Sequence, residues 1–111
     1  MSEYRLSDEA EHDLAEIYRR GFWKFGELQA DKFYNQLFDT LDLLASFPKS
    51  GRSAHEIYPE LRRVELNPYV IFYLPRDYGV YVLRLMRQSQ VAKTEHMDRA
   101  IKTDTQKDSG I

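Results

Sequence analysis

The segment from residue 60 to residue 90 constrains the fold of this chain most strongly. Three short strand-like runs lie at residues 61–66, 69–74 and 79–87. They are separated by Asn67-Pro68 and by the stretch 75–79, and both separators have turn-forming composition. Because connections this short join antiparallel neighbours, the segment predicts a three-stranded meander.

Two helices are predicted ahead of the meander. Residues 4–6 are predicted to form a short strand, and Ser7 is a good N-cap for a first helix that runs to about Phe25. Gly26 interrupts the apolar periodicity, and a second helix follows over residues 27–46 until Pro48 prevents its continuation. One apolar stripe of this second helix is predicted to be core. A second stripe, formed by Tyr34, Phe38 and Ala45, is either core as well or a partner-binding surface.

The order strand, helix, helix, strand, strand, strand predicts an α+β fold, in which a helical hairpin packs on a small, mostly antiparallel sheet. Residues 91–101 are predicted to form a C-terminal helix, and residues 102–111 have so little apolar content that disorder is predicted. We therefore expect one domain over residues 1–101 of the 111-residue chain.

Composition excludes several classes of protein. No apolar run approaches the ~20 residues that cross a bilayer, and the N-terminus lacks a signal pattern, so we expect a cytoplasmic protein without membrane contact. The chain has no cysteine and a net charge of −2. A protein that grips nucleic acid through phosphates is usually basic, so the charge argues against sequence-specific binding of DNA or RNA.

No pattern in the sequence predicts catalysis. The three histidines, His12, His55 and His96, lie on different segments, without a second ligand at a metal-binding spacing. There is no glycine-rich phosphate loop and no nucleophile elbow. We therefore predict no catalytic residue, no metal and no cofactor.

The meander contains four arginines at its strand positions, which are Arg62, Arg63, Arg84 and Arg87. Strict alternation along the last strand would place Val80, Val82, Arg84 and Met86 on one face, and Tyr81, Leu83, Leu85 and Arg87 on the other. An arginine inside an apolar strand is either paired with an acid, for which Glu65 is one candidate, or part of a wet binding face. Both interpretations remain open.

The motifs in this order resemble the ParE branch of the ParE/RelE toxin superfamily. They are the YRLS opening at residues 4–7, Asp13-Leu14 and Ile17, the Phe47-Pro48…Gly51 loop, and the segments 57–62, 69–76 and 82–87. The resemblance covers residues 4–101. It implies the toxin of a type II toxin–antitoxin system, of the kind associated with plasmid stabilisation.

The superfamily contains two functional classes on one fold, so the fold alone cannot choose between them. ParE-type members are similar to non-catalytic inhibitors of DNA gyrase, and RelE-type members to ribosome-dependent mRNA endoribonucleases. Basic positions of the nuclease class fall here at Leu61, Val70 and Gln90, although Arg63 could supply one. The depleted basic set favours gyrase inhibition, with the nuclease and a non-toxic relative as alternatives.

The resemblance also implies partners. A ParD-like antitoxin would place an amphipathic helix in the groove between the hairpin and the sheet, and Trp23, Tyr34 and Phe38 are candidates for that contact. DNA gyrase would be the target. The candidates for toxicity are Arg62, Arg63, Arg84 and Arg87, together with residues 91–101.

Overall fold

The predicted hairpin and meander are both present in the computed structural model, which describes residues 2–91. The elements are β1 (Glu3–Leu6), α1 (Asp8–Phe25), α2 (Glu27–Ser46), β2 (Arg52–Ser53), β3 (Arg62–Leu66), β4 (Tyr69–Arg76) and β5 (Gly79–Arg87). The sequence did not predict β2, because two residues carry no periodicity. The predicted C-terminal helix, apart from Val91, and the predicted tail lie outside the described residues.

The five strands form one sheet in the order β1-β5-β4-β3-β2. β1 pairs in parallel with β5, and the other neighbours are antiparallel. The two helices connect β1 to the rest of the sheet and cover one of its faces. The fold is therefore the mostly antiparallel α+β arrangement that the sequence predicts.

Local signals set the ends of the helices. The Ser7 hydroxyl accepts a hydrogen bond from the Ala10 amide (3.0 Å) and donates one to the Leu83 carbonyl (2.8 Å), so it caps α1 and ties it to β5. Gly26 separates the helices with φ of 87°, which glycine adopts without steric cost. The hairpin therefore turns within one residue.

The sheet is buried on both faces. The helix side packs the buried residues of both helices against Tyr69, Ile71, Tyr73, Val80, Val82 and Leu85. The opposite side packs Leu61, Val70, Phe72, Leu74, Tyr81, Leu83 and Met86 with Ala54, Ile57, Tyr58 and Val91. Burial on both faces explains why β4 reads as a continuous apolar run.

A bulge changes which residues of β5 face the helices. Tyr73 pairs with Val82, but Phe72 pairs with Arg84, so Leu83 is an extra residue on β5. Leu85 therefore joins Val82 on the helix side. The strict alternation expected from the sequence is wrong beyond Leu83, and Leu85 and Met86 have exchanged faces.

The second stripe of α2 is divided between core and surface. Ala45 is buried, whereas Tyr34 and Phe38 are half-buried at the margin of the core. Neither described helix is long and apolar enough to cross a membrane.

Candidate functional site

Arg62 and Arg63 begin β3 and point to opposite faces of the sheet. Arg62 pairs with Tyr73 on the helix side, and its guanidinium donates to the carbonyls of Gly51 (2.6 Å) and Lys49 (3.2 Å). The loop after α2 is closed further by the Gly51 amide, which donates to the Tyr73 hydroxyl (2.9 Å). Arg62 therefore clamps this loop to the sheet.

Arg63 is less completely satisfied. Its side chain is 15% exposed, and its guanidinium carbon lies 5.6 Å from the ring centroid of Phe72. One terminal nitrogen is 3.4 Å from a Glu65 carboxylate oxygen, and the buried Nε has no hydrogen-bond partner. Since most buried polar atoms are satisfied, Arg63 is an exception within the described residues.

Arg84 is held by an ion pair at the junction of α1 and β5. Its Nε and a terminal nitrogen donate to the two Asp13 carboxylate oxygens (2.8 and 3.2 Å), and its other terminal nitrogen lies 3.2 Å from Glu9. Asp13 also accepts from the Leu85 amide (2.9 Å). The hydrogen bond to Asp13 raises the pKa of Arg84 above its ordinary value, against the opposing effect of burial.

The partner expected for Arg84 is therefore wrong. Glu65 lies on β3, where it accepts from Arg52 (2.6 Å) and is near Arg63. Strand β4 separates it from β5, where Arg84 meets Asp13, so only the three-dimensional packing could reveal the true pair. The ion-pair interpretation of Arg84 is confirmed with a different acid.

Arg87 differs from the other three arginines. It faces the helix side opposite Tyr69, with its guanidinium carbon 6.0 Å from the Tyr69 ring centroid. Within residues 2–91 no carboxylate pairs with it. The four arginines thus have four different environments. Arg62 clamps a loop, Arg63 is buried and partly satisfied, Arg84 is in an ion pair, and Arg87 lies at an open rim. They do not form one continuous basic face.

The aromatic candidates for partner binding lie along the helical hairpin. An edge-to-face pair joins Tyr34 and Phe38, with ring centroids 4.9 Å apart, and Tyr18 packs on Tyr34 at 5.1 Å. Trp23 is 80% exposed and reaches the row through Phe22, 6.3 Å away. Tyr34 and Phe38 therefore lie together, and Trp23 lies at one end.

A hydrogen bond between the helices supports this row. The Tyr18 hydroxyl donates to Asp31 (2.6 Å). This bond is the largest cause of the rise in the pKa of Tyr18 from 10.0 to about 12, followed by desolvation and the negative charge of Asp31.

The sequence did not predict a cavity at the hairpin tip. A cavity of about 310 Å³ lies between the end of α1, the start of α2 and the Asn67-Pro68 turn. Its lining includes Gly21, Phe25, Ala30, Phe33, Pro68 and Arg87. The available signal was the cluster FWKFGEL at residues 22–28, where apolar residues continue through the turn.

The described residues contain no group of three histidines or carboxylates that could hold a metal ion. Two positions at which a nuclease of the resembled superfamily would be basic are part of the core, because Leu61 is 1% exposed and Val70 is 0% exposed. The described surface offers aromatic and cationic contacts, which are suited to binding a protein.

Comparisons with known proteins identify the family of this chain. Residues 4–92 match the family model described as the ParE toxin of the type II toxin–antitoxin system, parDE. Toxin ParE1 of Mycobacterium tuberculosis strain H37Rv is 31% identical over 88 residues, which are 78% of this chain and 90% of that protein. Toxin ParE1 of Caulobacter vibrioides is 29% identical over 93 residues, or 84% and 96%.

A solved structure described as the chromosomal ParDE TA system from P. aeruginosa contains a chain with the same fold. The TM-score is 0.65 at 22% identity, over 78% of this chain and 96% of that chain. The family model covers most of the chain, and the chain belongs to the ParE toxin family of type II toxin–antitoxin systems.

Proposed function

We propose that this protein is the toxin of a parDE module, that it inhibits DNA gyrase by binding without catalysis, and that a ParD-like antitoxin neutralises it. Family membership carries the first statement. The described surface presents exposed aromatic and cationic groups, which supports a toxin that acts through protein contacts.

The burial of Leu61 and Val70 disfavours the alternative, a RelE-like endoribonuclease. Cleavage of RNA needs several cationic groups aimed at the phosphate, where charge develops in the transition state. Neither buried position can present a cation without disrupting the core. Arg62 and Arg84 are also engaged, in the loop clamp and in the ion pair.

The aromatic row supports the proposed contact with the antitoxin. Trp23 is 80% exposed at one end of the row, and Tyr34 and Phe38 are half-buried farther along it. Large aromatic side chains that a partner can desolvate contribute much of the binding energy in protein interfaces. We assign Trp23, Tyr34 and Phe38 to this contact.

Among the arginines, Arg87 is the strongest candidate for contact with the target, because it lacks a carboxylate partner among the described residues. Arg63 is a second candidate because of its unsatisfied Nε. Arg62 and Arg84 would support toxicity indirectly, by holding the loop and helix α1 in place.

Supercoiling of relaxed plasmid by purified gyrase and ATP tests the proposal. The antitoxin-free protein should inhibit supercoiling and cause linear, protein-linked DNA to accumulate. No inhibition at a large molar excess of folded protein would exclude gyrase as the target. Cleavage of messenger RNA in an in vitro translation reaction would then establish the nuclease instead.

The same assay tests Arg87. The Arg87→Glu variant should lose at least about tenfold in inhibitory potency, because a charge contact becomes a repulsion. Lys49→Glu is the matched control, since it makes the same change of charge sign at an exposed residue beyond the far end of α2. Equal potency of Arg87→Glu and the wild type would remove Arg87 from the target contact.

A further inference from the structure

We propose that the protein, when free of antitoxin, forms a symmetric dimer through a surface at the C-terminal end of α2. This surface, the α2-end patch, consists of Asp39, Leu43, Phe47 and Lys49. Its partner is a second copy of this chain. The inference goes beyond the proposed function and does not depend on which target the toxin binds.

The centre of the patch is apolar. Asp39, Leu43 and Phe47 follow one another at a spacing of four residues, so Leu43 lies on the same helix face as Asp39, and Phe47 caps the helix one turn later. Leu43 is 58% exposed and Phe47 is 60% exposed. Neighbouring exposed apolar side chains of this size are typical of an interaction surface.

A groove lies beside Phe47. It has a volume of about 700 Å³ and runs between the end of α2 and the turn that joins β4 to β5, with Pro48 and Pro75 in its lining. The groove has room for an apolar side chain of a partner, which would be desolvated there together with Phe47. The apolar centre is therefore suited to contact with another apolar surface.

The two ends of the patch carry opposite charges. Asp39 lies at one end and Lys49 at the other, and both are exposed. Within residues 2–91, neither of them has an ion-pair partner. About 12 Å of helix separates Asp39 from Phe47, so the apolar pair lies between the two charges.

A two-fold axis through the apolar pair makes these charges complementary. Such an axis can reverse the direction of the second α2, so that Asp39 of each copy faces Lys49 of the other. Leu43 and Phe47 then meet their counterparts at the centre. Opposite charges in this arrangement fix the antiparallel register, because a parallel arrangement would oppose like charges. The patch is therefore complementary to itself.

Other partners fit this surface less well. A nucleic acid or an acidic segment would meet Asp39 and, in the groove, Asp77, whereas a basic segment would meet Lys49 and Arg76. These described residues of the patch and groove supply two charges of each sign. A second copy presents charges of both signs at the same spacing, so it satisfies the surface without further design.

The dimer leaves the hairpin tip accessible. The 20 residues of α2 place the tip about 30 Å from the patch. Arg87 lines the tip cavity, so it stays available to the target in both copies. Monomeric variants should therefore inhibit gyrase as the wild type does.

Sedimentation equilibrium of the antitoxin-free protein tests the inference. Because the patch has two large apolar side chains at its centre, we expect a dimerisation Kd on the order of 10–100 μM. Phe47→Ser should weaken dimerisation by about tenfold or more, since both copies lose an apolar contact. Phe25→Ser is the matched control, because Phe25 is 65% exposed at the tip, and it should dimerise like the wild type. Thermal unfolding would verify that each variant remains folded.

A charge exchange tests the symmetry of the contact. The Asp39→Lys variant has a cation at both ends of the patch, and the Lys49→Asp variant has an anion at both ends. Each alone should dimerise at least about tenfold more weakly than the wild type. An equimolar mixture of the two should form a heterodimer within about threefold of the wild-type affinity, because every cation then faces an anion.

Three outcomes would overturn the inference. A wild type that stays monomeric at about 1 mM would show that the patch does not bind a second copy. Loss of the dimer in Phe25→Ser, but not in Phe47→Ser, would place the contact at the tip. Charge variants that stay monomeric when mixed would show that Asp39 and Lys49 do not face each other. Gyrase inhibition is measured separately, so failure of the proposed function would leave these results unchanged.

Discussion

The two ends of helix α1 differ in whether their side chains have partners within the chain. At the base, where β1 and the start of α1 meet β5, Ser7 and Asp13 make hydrogen bonds to the backbone of β5, and Asp13 also holds Arg84. At the tip, large apolar side chains are exposed, and the described residues that line a cavity there include cations and no carboxylate. The polar groups of the base are satisfied within the chain, whereas the large apolar side chains of the tip remain exposed.

This contrast separates residues that stabilise the fold from residues available for function. A group whose hydrogen bonds are all internal has little left to offer a partner, and its removal leaves a buried group unsatisfied. A group that is exposed in the free protein costs little to replace, and its contribution appears when a partner desolvates it. The following predictions test this division by comparing the two ends.

The largest loss of stability is expected from replacing a glycine at the base, compared with a glycine at the tip. Gly79 has φ of 143°, and a Cβ there would overlap the carbonyl oxygen of Glu3 in β1, whereas a Cβ at Gly26 would meet nothing. Gly79→Ala should lower the free energy of unfolding by roughly 3 kcal/mol or prevent folding, and Gly26→Ala by about 2 kcal/mol, because Gly26, with φ of 87° and ψ of 170°, lies in a backbone region that essentially only glycine adopts. Urea denaturation of both variants measures the difference. Equal losses would show that β1 is not tightly constrained at the base.

Asp13→Ala should have the next largest effect. It leaves the Leu85 amide without its acceptor and Arg84 with only Glu9, so we expect a loss of roughly 2 kcal/mol in the free energy of unfolding. Glu9→Ala is the control, because Glu9 is 54% exposed and should cost less than about 1 kcal/mol. A loss from Asp13→Ala no greater than that from Glu9→Ala would contradict the assignment of Asp13 to the base.

The hydrogen bond of Tyr18, which lies in α1 between the base and the tip, should be detectable by ultraviolet titration. In the folded protein Tyr18 retains its proton until about pH 12, because its phenol donates to Asp31. Since the folded-state pKa of Tyr18 lies above the ordinary value of 10.0, this hydrogen bond stabilises the folded state below pH 10. That stabilisation is lost as the pH rises through about 12. Asp31→Asn should move the ionisation of one tyrosine towards pH 10 in an ultraviolet titration. An unchanged curve would mean that this hydrogen bond is absent in solution.

The smallest effect on stability is expected at the tip. Phe25 is 65% exposed, so Phe25→Ser should change the free energy of unfolding by no more than about 0.5 kcal/mol. Chemical denaturation of the variant alone checks this expectation. A loss above about 1 kcal/mol would mean that the tip is a structural part of the fold.

Much of the architecture is predictable from local sequence signals. Ser7 as an N-cap, Gly26 as an interruption and Pro48 as a stop define a hairpin, and the boundaries agree with α1 and α2. The separators Asn67-Pro68 and 75–79 also define the meander, but the second turn was predicted too long, because β4 continues to Arg76 and β5 begins at Gly79. These signals succeed because capping, backbone freedom and turn formation act within a few residues.

The environments of the candidate residues were less predictable. The bulge at Leu83 moves Leu85 to the helix side, and no local pattern marks it because both faces of β5 are apolar. The sequence identified Arg84 as a charge needing an explanation, but its partner is 71 residues away in the chain. The roles proposed for Arg62, Arg63, Arg84 and Arg87, and for Trp23, Tyr34 and Phe38, stay predictions.

The sequence by itself determined the order of the elements, the two-layer α+β arrangement and the residues that merit attention, because periodicity, caps and turns are short-range properties. Only the tertiary structure decided that Arg84 is bound to Asp13, that Arg62 holds a loop, and that Arg87 borders a cavity. The sequence shows the same residue type, arginine, at all of these positions and does not reveal its partners. Its availability depends on which distant acids and carbonyls the fold brings within hydrogen-bonding distance.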